Sequence, residues 1–256
     1  MSKLSGAYYE IHHMEQLANE DQWVNRIHPL VKLVITVLYI MTVVSVHKYN
    51  LARILILGVY PIAMFILGEI SFADSIRRVR LILPLVCIVG IFNPFFDRQV
   101  IAHIGNIAIT TGMISMVTLI LKGVYTVFAT YILVATTTIE KICYAMRLVH
   151  IPGILVTQIL LTYRYISVLL KEANTIMQAY LLRAPHQKGV QMKVWGSLVG
   201  QLLLRSIDRA DNVYASMTLR GYHGEFCYAR QKKCSGKDYA YLLLWVAVFG
   251  ILRYII

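Results

Sequence analysis

Long apolar runs, separated by charged connections, constrain this chain more than any other feature of its sequence. Residues 30–46 carry a single charge, Lys32, near their start, and residues 51–67 carry only Arg53. Arg53 lies close enough to the end of its run for the guanidinium to reach an interface. Each run is roughly 17 residues long, the lower limit for a helix crossing about 30 Å of hydrocarbon. The short polar turn His47, Lys48, Tyr49, Asn50 joins them into an expected helical hairpin. Residues 68–80 end in Arg77, Arg78 and Arg80 and read as a short basic loop. Residues 81–96 form a weaker run, interrupted by Pro84 and by Asn93-Pro94, that either spans or enters and returns. Residues 107–139 are apolar apart from interruptions at Gly112, Lys122 and Gly123. One helix of that length overshoots a bilayer, so the stretch reads as one long or bent span, with a tight pair as the alternative. Residues 239–256, apolar except for Arg253, complete the set.

The expected fold is therefore all-α: a polytopic membrane protein with about five to six transmembrane helices and two long cytoplasmic helices. The composition agrees, since 58% of the 256 residues are hydrophobic and 15% charged, against about 25% charged in soluble domains. Four regions follow: a polar N-terminal segment (1–29), transmembrane helices (30–139), a basic cytoplasmic segment (140–238) and a last span (239–256). The N-terminal segment has no apolar core of a cleavable signal, so the first span is expected to direct insertion.

The net charge of +12 is not spread evenly. Between positions 141 and 237 stand fourteen basic residues and only the acids Glu172, Asp208, Asp211 and Glu225. Positive charge marks the cytoplasmic side, most reliably in short loops, which makes Arg77, Arg78 and Arg80 the cleaner witness. They lie two spans before the basic segment, so both face inward if the intervening runs make two crossings. The N-terminus is then inside, the C-terminus outside, and the location a cell (inner or plasma) membrane.

The basic segment reads as helical. From Thr162 to Arg183 there is neither glycine nor proline, and Pro185 follows as a stop signal. Leu198, Leu202, Ile207, Ala210, Tyr214 and Met217 recur at helical spacing, and Gly221 stands where a helix C-cap is expected. Arg205 and Asp208 are spaced to pair at i, i+3. Two long helices, each closing on an arginine, are thus linked by a turn holding Pro185 and Gly189.

Catalytic signatures are missing. Walker A, GxGxxG, HExxH and GxSxG patterns do not occur. Cys87, Cys143, Cys227 and Cys234 lack CxxC spacing and read as reduced thiols. His12-His13, near Glu10 and Glu15, could hold a metal but reads better as part of a solvated segment. Glu69 and Asp74 sit at a boundary, and acids are nearly absent from the spans, where ion-coupled carriers and intramembrane hydrolases would need them.

Residues 161–226, containing LTYRYISVLLKEANTIMQAYLLRAP and WGSLVGQLLLRSIDRADNVYASMTLRGYHGEF, resemble the transmembrane T component of energy-coupling factor (ECF) transporters, above all the cobalt-type CbiQ family. NRIHPLVKL at 25–33 and FNPFFDR at 92–98 are also similar to that family. The resemblance implies a non-catalytic scaffold without a cofactor. Its two coupling helices would end in X-Arg-X motifs that dock on two cytoplasmic ABC ATPase subunits. Here the motifs are Leu182-Arg183-Ala184 and Leu219-Arg220-Gly221, departing from the common Ala-Arg-Gly at the first position in both and at the last in the first. The implied partners also include a membrane-embedded substrate-binding subunit resembling CbiM, with room for a small accessory membrane subunit, and no nucleic acid. Cobalt is the expected cargo. A nickel system or a shared vitamin-type T component are alternatives, because the resemblance assigns substrate choice to another subunit. From a different class, a membrane enzyme or channel with a basic face for anionic lipid stays open.

Overall fold

The computed structural model describes residues 15–16, 18–19, 22–68, 70, 72–96, 100–104, 107–184, 190–224 and 234–254. The chain divides into two compact units, residues 17–138 with 232–256 and residues 1–16 with 139–231.

The first unit is a helical bundle. After a 3-10 turn (Val24–Arg26), α1 (Pro29–Ser45) begins with Pro29 in its first turn and His28 as its cap, whose Nδ1 accepts from the Leu30 N–H at 3.3 Å. α2 (Leu51–Leu57) and α3 (Val59–Leu67) make up the second apolar run, broken at Gly58. α4 spans Phe72–Phe96, a hairpin joins β1 (Val100–Ile104) to β2 (Ile107–Thr110), and α5 spans Thr111–Thr136. α9 (Gly236–Tyr254) closes the unit.

α5 is the central element. α1, α2, α3 and α4 all contact it, and α9 packs on α1 and α2. Val31, Ile35, Tyr39 and Val43, four residues apart, form the buried stripe of α1, and Ile54, Leu57, Tyr60 and Met64 continue the core. Trp245 and Phe249 enter it from α9. Tyr60 meets Tyr39 with ring centroids 4.4 Å apart and Trp245 edge-on at 4.7 Å. Such ring contacts add specific attraction where lipid tails remove the usual hydrophobic drive between helices. The opposite faces are apolar as well. Val37, Met41 and Val44 of α1, and Val59, Ile62 and Ile66 of α3, are exposed, Ile66 by 73%. Helices apolar on both faces fit a lipid surrounding, not an aqueous one.

Several hydroxyls of α5 find partners within their own helix. Thr126, Thr130 and Thr136 each donate a hydroxyl hydrogen bond to the carbonyl four residues earlier on α5, at 2.8–3.0 Å. Two lysines cap helix ends reciprocally. Lys32, buried near the start of α1, donates to the Thr136 carbonyl at the end of α5 at 2.8 Å, while Lys122 of α5 donates to the Val44 and Val46 carbonyls at the end of α1. An ammonium at the negative end of a helix is favourably placed. The His28 N–H donates to Asp238 in the first turn of α9 at 3.2 Å. The start of α1, the end of α5 and the start of α9 therefore lie at one end of this bundle.

Several sequence expectations need correction here. Arg77, Arg78 and Arg80 do not form a loop; they occupy the first turns of α4, where Asp74 supports the helix start. Residues 81–96 are not a broken run either, because Pro84 and Asn93-Pro94 fall inside the same helix. Pro84 removes the donor to the Arg80 carbonyl, a defect that packed membrane helices tolerate. The apolar run 107–139 starts as a strand: Ile104 pairs with Ile107 and Ala102 with Ile109, antiparallel. Beyond it, Lys122 and Gly123 do not interrupt α5, so the run contains one long helix and not a tight pair.

The second unit holds α6 (Ile139–Leu148), α7 (Gly153–Arg183) and α8 (Met192–Leu219). α6 packs on α7 through a core that includes Cys143 and Ala145. Burial, reinforced by the Glu140 carboxylate, pushes the Cys143 thiol above its usual range, which keeps it a packing group instead of a nucleophile. α6 ends with His150 in the left-handed region (φ 65°). The Ile151 N–H bonds to the Met146 carbonyl and the His150 N–H to the Arg147 carbonyl. α7 starts at Gly153, nine residues before the helix expected from Thr162.

By length and hydropathy alone, α5 and α7 are the two described helices able to cross a membrane unaided; α1 and the Leu51–Leu67 pair are shorter apolar helices.

Candidate functional site

The residues singled out from the sequence sit at the ends of α7 and α8. Arg183 is the last residue of α7 and Ala184 its cap, whose N–H bonds to the Tyr180 carbonyl at 3.1 Å. Leu182 beside it is 82% exposed. The following residues 185–189, with Pro185, lie outside the described residues, as does the pair His12-His13.

The end of α8 is built differently. Leu219 is its last residue, 89% exposed, and Arg220 is the cap. Gly221 follows with φ 81°. Its N–H bonds to the Thr218 carbonyl and the Tyr222 N–H to the Met217 carbonyl, both at 3.0 Å. This double closure serves the Met217 and Thr218 carbonyls of the last turn, and it needs a residue that tolerates positive φ. The Gly221 reading from sequence thus acquires a specific geometry: Arg220 is held on a rigid, sharply ended helix.

α7 and α8 face one another across an open cleft of about 830 Å³. Arg164, Arg205, Arg209 and Arg220 line it together with Glu172 and Asp208. Arg220 and Gly221 border this cleft, whereas Leu182, Arg183 and Ala184 are not among its walls. Arg205 does not use the expected i, i+3 partner; its guanidinium pairs with Glu172 of α7. No local spacing could reveal that pair, because the two residues are brought together by helix packing. Both are partly exposed, so the pair sets register more than stability.

α8 has no buried residue, yet Met192, Trp195, Val199, Leu203 and Leu204 on it are apolar and exposed. Among the described residues, no group of three metal-ligating side chains occurs.

The family model for the cobalt transport protein CbiQ matches residues 20–232. The chain belongs to the CbiQ family, the transmembrane T components of ECF transporters. Similar proteins include an uncharacterized protein of Methanocaldococcus jannaschii, 26% identical, with 84% of this chain and 77% of the relative covered. The energy-coupling factor transporter transmembrane protein EcfT of Listeria innocua is 25% identical over 80% of this chain and 82% of its own length. The nickel permease LarQ of Lactiplantibacillus plantarum is 24% identical over 43% of this chain and 42% of its own. As a CbiQ-family member the chain is a membrane protein of a transport complex.

Proposed function

We propose that this protein is the non-catalytic scaffold of a cobalt uptake system, coupling ATP hydrolysis by two cytoplasmic ABC ATPases to a membrane-embedded substrate-binding subunit. The observation that carries the reading is the pair of long helices, α7 and α8, each closing on an arginine beside a strongly exposed leucine. Arg183 and Arg220 dock in grooves of the ATPases. A guanidinium makes bidentate, charge-assisted bonds to carboxylates and stays charged at any physiological pH. Seated at the end of a rigid helix, each arginine turns nucleotide-driven closure of the ATPases into movement of the membrane part.

The topology of this reading puts the N-terminus and residues 140–238 in the cytoplasm. It is supported by the bonds of Lys32 to Thr136 and of His28 to Asp238, through which the segment leaves and re-enters the bundle at the end where α1 begins. The cargo is cobalt. Nickel is the second reading, favoured by the similarity to LarQ over part of the chain, and a shared vitamin-type role is a third, favoured by the EcfT relatives.

Replacing Arg183 and Arg220 together with alanine tests the coupling. Each lost charge-assisted contact is worth roughly 1.5–3 kcal/mol, or about tenfold or more in affinity. The double variant should insert into the membrane normally but fail to co-purify with the ATPases. Unchanged co-purification would exclude this docking mode.

A further inference from the structure

At the end of the bundle away from Lys32 and Thr136, a second pocket of about 220 Å³ opens between α1, α2 and α9. Its walls carry Arg53, Arg253, His47 and Ser45 over an apolar floor of Leu57 and Phe249, and no described acidic residue lines it. Two arginines thus line one cavity, and the like charges gathered there favour an anion between them. The ends of the surrounding helices do not supply it, because Lys122 already occupies the Val44 and Val46 carbonyls where α1 finishes. The Arg53 Nε is buried and has no hydrogen-bond partner among the described residues. A buried donor of that kind carries an unmet desolvation cost.

We infer that this pocket binds a phosphate-bearing anion, either the headgroup of an anionic phospholipid or free phosphate, held by Arg53 and Arg253. The planar donor fork of arginine matches phosphate oxygens bidentately, and Ser45 adds a hydroxyl at the wall. The volume equals that of several water molecules at about 30 Å³ each, room for a phosphate group and part of its hydration. The lipid source suits the surroundings. Met41 and Val44, next in sequence to the lining residues Thr42 and Ser45, are exposed and apolar, as the contact surface of acyl chains would be. The site is separate from α7 and α8, and its test is independent of ATPase docking.

The experiment is a thermal-shift measurement on the purified full chain in a neutral detergent. The additives are phosphatidylglycerol, phosphatidylcholine or inorganic phosphate, each tested on wild type, Arg53→Gln/Arg253→Gln, and Arg253→Gln alone. Phosphatidylglycerol should raise the melting temperature of wild type by several degrees more than phosphatidylcholine, and the double variant should lose that difference. A shift with inorganic phosphate that the variants also lose would support the site with the free ion as its source. Because Arg253 is exposed, its single replacement leaves the fold intact and reports even if the double variant misfolds. Equal shifts in wild type and variants, equal shifts with the two lipids and none with phosphate, or no shift at all would overturn the inference.

Discussion

The carbonyl of Leu57 would ordinarily accept from the N–H four residues on, but that residue is Pro61, which has none. Tyr39 of α1 replaces the missing donor, its hydroxyl reaching the Leu57 oxygen at 3.0 Å. In a bundle surrounded by lipid no water can take that role. Tyr39→Phe should therefore destabilise the protein by about 1 kcal/mol, lowering the melting temperature by a few degrees at unchanged oligomeric state. Thermal unfolding followed by tryptophan fluorescence in detergent reads it, and an unshifted midpoint would mean the carbonyl has another partner. Gly221 presents the opposite case, a residue chosen for its backbone. A Cβ there meets no atom, so only φ 81° penalises alanine. Gly221→Ala should cost about 1–2 kcal/mol locally, fraying the end of α8. It should weaken ATPase co-purification although Arg220 is still present. Binding indistinguishable from wild type would show that the Arg220 position does not depend on this cap.

Among the elements, α1 and α5 hold each other by their ends. Lys32 serves the last turn of α5 and Lys122 the last turn of α1, so each costly membrane-embedded charge is spent on carbonyls that a helix end leaves unpaired. Lys122→Met should destabilise the pair by about 1–2 kcal/mol, while Lys122→Arg should retain much of the stability. Comparing the two melting temperatures separates lost capping from altered packing, and equal losses would point to packing. α2 and α3 show a similar dependence on a neighbour. At Gly58 an added Cβ would come within 2.5 Å of the Tyr125 hydroxyl, so a larger residue there would push the Tyr125 ring of α5 aside. The run 51–67 reads as one helix in sequence, and the structure nearly agrees: Gly58 keeps right-handed helical angles, and only the bond that Pro61 cannot donate is missing.

For the whole molecule, the membrane reading and the charge asymmetry meet in one testable topology. A cysteine introduced at Leu182 should react with a membrane-impermeant maleimide only from the cytoplasmic side, and one at Arg253 only from the outside, in a background lacking Cys87, Cys143, Cys227 and Cys234. Labelling of both from one side would refute it. Residue patterns alone determined that the chain is helical, where its main apolar runs lie, that charge concentrates in residues 141–237, and that two helices there end on Arg183 and Arg220. These are local properties: hydropathy, breakers and spacing act within a few turns, so they can be read from a single strand of text. Tertiary structure decided what needs two distant segments at once. Pro84 and Asn93-Pro94 stay inside α4, Arg205 pairs with Glu172 and not with Asp208, Lys32 and Lys122 cap opposite helices, and Arg53 and Arg253 line one pocket. Each depends on which helices pack together. The energy that selects that arrangement resides in contacts between residues far apart in the chain, where no periodicity records it.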